Sequence, residues 1–184
     1  MYKKLSEGAS ITHFLEIWVA RLPLKIKIFS WQMLPDRLPS ALQIATRQGP
    51  SNGKCALCSA EEDAAHIFFT CLSALFMWSV LRQVLGRSWC PASLPQFFAI
   101  LSGFSGQARR LLWIYFVAQS WALWHVRNKL AIEAKVINHP ADIIFKTLLF
   151  LQLWIPTLKL QDKEGARWML GELRKTHVMC RPSR

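Results

Sequence analysis

Apolar residues recur along most of the chain at the three- and four-residue spacing of amphipathic helices, and glycine, proline and capping residues separate them. Ser40 with Gln43 matches a capping box at a helix start, and Gly86 matches a helix stop. The predicted helices cover residues 14–18, 23–33, 40–48, 59–70, 73–85, 107–135 and 140–154. The expected fold class is therefore mostly α, with at most a minor β element.

The segment 23–33 has two interpretations. Lys25 and Lys27 alternate with isoleucines, which is the period of a strand, yet Ile26, Phe29 and Met33 lie on one helical face. Pro23 would sit in the first turn of such a helix, where proline is tolerated. We favour the helix, because the apolar stretch continues past the alternating part.

The same signals suggest a division of the chain. Residues 1–88 would form one domain, and residues 89–106, rich in proline and glycine, a linker. Residues 107–156 would be a helical extension and residues 157–184 a basic, partly disordered tail. Tyr2 to Leu5 resembles the end of a helix, and disorder is expected at Arg181 to Arg184.

Hydrophobic residues make up 52% of the 184 residues and charged residues only 18%, against a usual charged share of about 25%. Either most of this apolar material is core, or another segment covers some of it. The longest apolar run, Leu111 to Trp124, is too short for a bilayer, which requires about 20 residues. Five cysteines, an odd number, and no signal peptide favour a reducing compartment, the nucleus or cytoplasm.

The net charge of +12 comes from 23 Lys and Arg against 11 Asp and Glu, and it favours an anionic partner such as RNA or DNA, bound non-specifically. The excess is spread along the chain, so it does not locate one patch. Candidate phosphate contacts are the cations near the aromatic segment and the cysteines, namely Lys25, Lys27, Arg37 and Lys54. The alternative is that the tryptophans are core and these cations are solvated.

Three cysteines and a histidine lie close together in the sequence, as Cys55, Cys58, His66 and Cys71. Thiolates and imidazole are the donors that Zn²⁺ prefers, and a two-residue gap lets one turn direct two thiolates at one ion. The pattern predicts a structural zinc loop. The alternatives are reduced core cysteines beside a helix histidine, or a redox pair formed by Cys55 and Cys58.

A regular helix cannot direct both His66 and Cys71 at one ion. Five residues rotate an ideal α-helix by about 140° beyond a full turn. We therefore predict a helix break near Thr70. We also expect Ser59 with Glu62 to cap this helix, with Glu61 to Asp63 near its positive end.

These motifs, in this order, resemble the zinc-binding domain that follows the reverse transcriptase in plant non-LTR retrotransposons. The resemblance is strongest in the block from His66 to Cys71, which reads His-Ile-Phe-Phe-Thr-Cys, and residues 121–128 resemble a Trp-x-x-Trp-x-x-Arg-Asn signature that often follows that domain. It covers about residues 2–130. The resemblance implies a helical accessory segment with Cys55, Cys58, His66 and Cys71 as ligands and a frame of aromatic residues.

Catalysis is not expected. Polymerases and nucleases of this kind use paired carboxylates to hold two metal ions, whereas the sequence contains no Tyr-x-Asp-Asp run, and its one acidic cluster is explained by helix capping. The chain is expected to act as a nucleic-acid-binding accessory module of a retrotransposon polyprotein. The alternatives are a module that docks other domains of the parent polyprotein, or a non-functional fragment of it.

Overall fold

The computed structural model describes residues 11–135 and 139–180, with side chains from residue 15 onward, and contains no strand in this part of the chain. It is 71% helical, which confirms the mostly α class. Within these two ranges eight α-helices occur in order: α1 Ile11–Val19, α2 Leu24–Met33, α3 Ala41–Thr46, α4 Leu72–Leu85, α5 Leu94–Ser102, α6 Gly106–Glu133, α7 Ala141–Trp154 and α8 Leu160–Cys180. The predictions of a helix end at residues 2–5 and of disorder at residues 181–184 concern residues outside these ranges.

α6 is the central helix. Its nine consecutive residues from Leu112 to Ser120 are all buried, and residues in succession point to every side of a helix, so α6 is enclosed all round. It packs against α7 and α8 and also against α2, α4 and α5. A single hydrophobic core cluster extends from Ile17 to Leu173.

α2 is helical, as its predicted apolar face indicated. Its buried residues include Ile26, Phe29 and Met33, which are the residues of the helical interpretation. Ser40 also caps α3, because its hydroxyl accepts a hydrogen bond from the Gln43 N–H at 3.2 Å.

The segment predicted as a linker contains an ordered helix. α5 begins at the Ser93 cap, and its Phe97, Phe98 and Leu101 are buried in the common core. The prolines and glycines that suggested a linker lie at its ends, where Pro95 occupies the first turn and Gly103 the C-cap. The domain division itself remains a prediction.

The segment predicted as a basic, partly disordered tail contains α8. The sequence did not predict this helix because most of its surface is polar. Its buried residues nevertheless recur at helical spacing, and they include Ala166, Met169, Leu170 and Leu173. The Asp162 carboxylate, near the start of α8, pairs with Arg110 of α6 at 2.7 Å. This ion pair joins the two helices.

Gln119 is a polar residue inside the core. Its side chain is fully buried and neither amide atom has a hydrogen-bond partner among the described residues. An unsatisfied buried amide costs about 1 to 3 kcal/mol. The shape of methionine is close to that of glutamine.

We expect Gln119→Met to raise the free energy of unfolding by about 1 to 2 kcal/mol, because it removes the desolvation penalty without opening a cavity. Urea unfolding measures the difference. Gln83→Met, at an exposed position of α4, is the control and should change stability by less than about 0.5 kcal/mol. A less stable Gln119→Met protein would show that the amide is satisfied in solution.

Candidate metal centre

The metal loop, residues 51–63, connects α3 to the helical turn that carries His66. Its two ends are held by hydrogen bonds from the Cys55 N–H to the Ala60 carbonyl at 2.7 Å and from the Glu62 N–H to the Gly53 carbonyl at 2.9 Å. A single antiparallel bridge joins Lys54 and Glu61, which is the extent of β structure among the described residues. Gly53 has a φ of 75°, a conformation that other residues rarely adopt.

A tight turn within the metal loop brings the first two cysteines to the same side. The Ser59 N–H donates to the Cys55 carbonyl at 2.9 Å, and Ser59 itself has a φ of 60°. The Leu57 N–H points at the Cys55 sulfur at 3.4 Å. Such N–H groups stabilise negative charge on a thiolate, so the turn suits a metal-bound sulfur.

A widened helical turn brings His66 and Cys71 together. Residues His66–Thr70 form one π-helical turn, closed by a hydrogen bond from the Cys71 N–H to the His66 carbonyl at 2.8 Å. In a π turn a hydrogen bond joins residues five positions apart, so it brings the backbones of His66 and Cys71 close together. Cys71 is extended, with ψ of 149°, and α4 begins after it. The predicted break is confirmed, and its form is a π turn.

Asp63, and not Ser59, caps this helical turn. The Asp63 carboxylate accepts the His66 N–H at 2.6 Å, whereas Ser59 lies in the turn of the metal loop. The predicted capping box at Ser59 and Glu62 is therefore wrong, because the loop turn already uses Ser59 and moves the helix start forward. Asp36 also holds this start, since its carboxylate accepts the Ala64 N–H at 3.2 Å.

The four predicted ligands form one cluster, which we call the metal cluster. Their donor atoms all lie within 4.8 Å of one another. The sulfurs of Cys55 and Cys71 are 3.9 Å apart, and the Cys58 sulfur is 3.3 Å from His66 Nε2. Tetrahedral zinc with usual bond lengths separates its donor atoms by about 3.5 to 3.8 Å, and these two separations are close to that range.

The second nitrogen of His66 faces Thr70. The Thr70 hydroxyl lies 3.4 Å from His66 Nδ1, so an Nδ1–H that donates to it would leave Nε2 free to bind a metal. Partners of this kind orient metal-bound histidines. Burial raises the pKa of the Cys55 thiol and raises that of Cys71 to about 12. A metal must therefore displace protons from these thiols.

An ion pair joins the metal loop to α6. The Glu62 side chain is 2% exposed and that of Arg127 is 12% exposed, and the nearest oxygen and nitrogen are 2.6 Å apart. The same Glu62 oxygen accepts the Ala41 N–H at 2.8 Å, and the guanidinium of Arg127 lies over the Trp124 ring at 5.3 Å. Sequence reasoning missed this pair, although both members lie in the motifs that carry the resemblance.

The four cations predicted to contact nucleic acid are distributed over separate places. Lys25 and Lys27 lie on α2, Arg37 in the turn after it, and Lys54 in the metal loop beside an open groove. The Lys27 ammonium donates to the Trp18 carbonyl at 3.0 Å. Their role in nucleic-acid binding stays a prediction.

The fold and the metal cluster define a helical protein with a candidate metal site made of three cysteines and one histidine. Residues 1–78 match the family described as zinc-binding in reverse transcriptase, so the resemblance to that zinc-binding domain is confirmed over these residues. This domain is an accessory one and is distinct from the catalytic domain. No curated protein and no solved structure matches the chain.

Proposed function

We propose that the chain is a non-catalytic, nucleic-acid-binding accessory module of a plant retrotransposon polyprotein, in which Cys55, Cys58, His66 and Cys71 hold a structural zinc ion. The observation that carries this proposal is the convergence of four protein donors within 4.8 Å. Four protein ligands complete a tetrahedral shell, which leaves no position for a catalytic water.

The donor set favours zinc over the hard cations. Three sulfurs and an imidazole suit Zn²⁺, whereas Mg²⁺ and Ca²⁺ prefer oxygen ligands. When bound, the ion would hold the metal loop against the π turn and the start of α4. Its contribution would then be to folding, since zinc binding to such sites is coupled to folding free energy.

The charge of the chain supports an anionic partner. Its net charge of +12 favours non-specific contact with the phosphates of RNA or DNA, and such contact weakens with salt. We assign the module to the nucleus or cytoplasm, where such a partner occurs and where cysteines stay reduced. In the described part of the chain, every helix is too short or too polar to cross a bilayer.

A titration of the zinc-loaded protein with short single-stranded oligonucleotides at several salt concentrations tests this function. We expect binding to both RNA and DNA, with an affinity that falls steeply and log-linearly with salt. A protein that binds neither at low salt would contradict the proposal.

Docking of another domain of the parent polyprotein is the second candidate. Large apolar side chains are exposed on α1 and α2, among them Trp18 at 50% and Leu24 at 65%, and exposed apolar patches often mark protein interfaces. Association with a partner domain that is insensitive to salt, without oligonucleotide binding, would favour this candidate.

A further inference from the structure

Three helices meet at a cluster of aromatic rings on the side of α6 that faces α2 and α7. Trp121 of α6 contacts the Phe29 ring of α2 with centroids 4.9 Å apart, and it contacts His125 at 4.7 Å. Phe150 of α7 lies 5.6 Å from His125. Trp121, His125 and Phe150 are each only partly buried, so this ring cluster reaches the surface.

Each of the three helices places one lysine a single turn from a ring of this cluster. Lys25 precedes Phe29 by four positions, Lys129 follows His125 by four, and Lys146 precedes Phe150 by four. Residues four apart on a helix are neighbours on its surface. Each of the three lysines is therefore a neighbour of the ring cluster on the surface of its helix, and we call this face the lysine surface.

The electrostatics of His125 agree with this placement. Burial lowers the pKa of His125, and the charges of Lys146, Lys25 and Lys129 lower it further. No ion pair joins Lys25 or Lys129 to an acid in the described residues. The nearest acids along the helices are Glu133 and Asp142. Glu133 pairs with Lys135, which lowers the pKa of Glu133, and the charge of Lys129 also contributes to that lowering. Asp142 lies one turn from Lys146.

We propose that the lysine surface binds single-stranded nucleic acid, with Lys25, Lys129 and Lys146 contacting successive phosphates and the partly exposed rings stacking on bases. This inference rests on the proposed function and names the surface that performs it. Cations around exposed aromatic rings are the usual means of binding single strands without sequence preference. A duplex keeps its bases paired and stacked, so it could use the lysines but not the rings.

A charge-matched pair of variants tests the lysine surface. The first is Lys25→Gln, Lys129→Gln and Lys146→Gln combined. The second combines Lys159→Gln, Lys163→Gln and Lys175→Gln, which lie at α8 and outside the ring cluster. Both lower the net charge equally, so long-range attraction changes equally. Zinc content and thermal unfolding verify that both are folded.

Binding of oligothymidylate and oligouridylate is measured against salt. Each phosphate contact on a single strand contributes about 0.7 to the log–log salt slope, so losing three should weaken binding by about 100-fold at about 0.1 M salt and reduce the slope by about 2. The α8 variant should lose far less and keep its slope.

Equal losses in the two triple variants would overturn the lysine surface while leaving nucleic-acid binding in place. An unmodified protein that binds no oligonucleotide would instead refute the proposed function itself. A duplex of matched length that binds the unmodified protein as tightly as the single strand would overturn the assignment to single strands.

Discussion

Replacing Cys71 with serine is expected to lower the affinity for zinc by more than about 100-fold, because the hydroxyl is a poor zinc ligand and even residues that only orient ligands change metal affinity about 10- to 100-fold. Cys71 is buried and ends the π turn. Loss of the ion should therefore also loosen the metal loop and the start of α4.

The measurement is zinc content per chain together with a competition titration against a chelator, and limited proteolysis reports the order of the metal loop. Cys90→Ser is the matched control, since Cys90 is exposed and lies outside the metal cluster. That variant should retain one zinc ion with unchanged affinity. Full zinc occupancy at normal affinity in Cys71→Ser would refute the ligand assignment.

Replacing Arg127 with methionine destabilises the zinc-loaded protein by about 3 to 5 kcal/mol, because it leaves the buried Glu62 carboxylate without its counter-charge. Methionine retains the aliphatic part of the side chain but loses the guanidinium contact with the Trp124 ring, which contributes a smaller share of the loss. Urea unfolding with excess zinc measures the loss.

Two further variants make the Arg127 result specific. Lys175→Met breaks an ion pair whose side chains are 68% and 31% exposed, and exposed pairs contribute about 1 kcal/mol or less. Adding Glu62→Gln to Arg127→Met should restore most of the stability, since glutamine is neutral and can still accept the Ala41 N–H. A loss in Arg127→Met no larger than that in Lys175→Met would show that the pair does not hold the metal loop.

The helices were predictable where apolar spacing and a cap agreed. α2 followed its buried stripe, and the spacing of His66 and Cys71 required a break that the structure supplies as a π turn. α5 was missed because Pro95 and Gly103 were interpreted as linker residues, although both are ordinary at helix ends. α8 was missed because its few buried apolar residues are separated by many charged residues.

The donor set of the metal cluster was also predictable, because ligand types and spacing are properties of the sequence. The ion pair that joins the metal loop to α6 was not predictable. Glu62 and Arg127 are 65 residues apart, and no local pattern pairs residues at that separation. The sequence placed Glu61, Glu62 and Asp63 together at the start of the helix. Which of these acids caps the helix depends on the turn at Ser59, and that turn was not predicted.

The bond between Glu62 and Arg127 crosses the end of the family match, since one partner lies within residues 1–78 and the other on α6. Cutting the gene after residue 78 would leave a buried carboxylate with no counter-ion and Phe69 without the Phe116 ring stacked on it. Recombination that moved only the cysteine-bearing segment into another protein would therefore not give a stable domain. The transferred segment would have to include α6, the helix that carries Arg127.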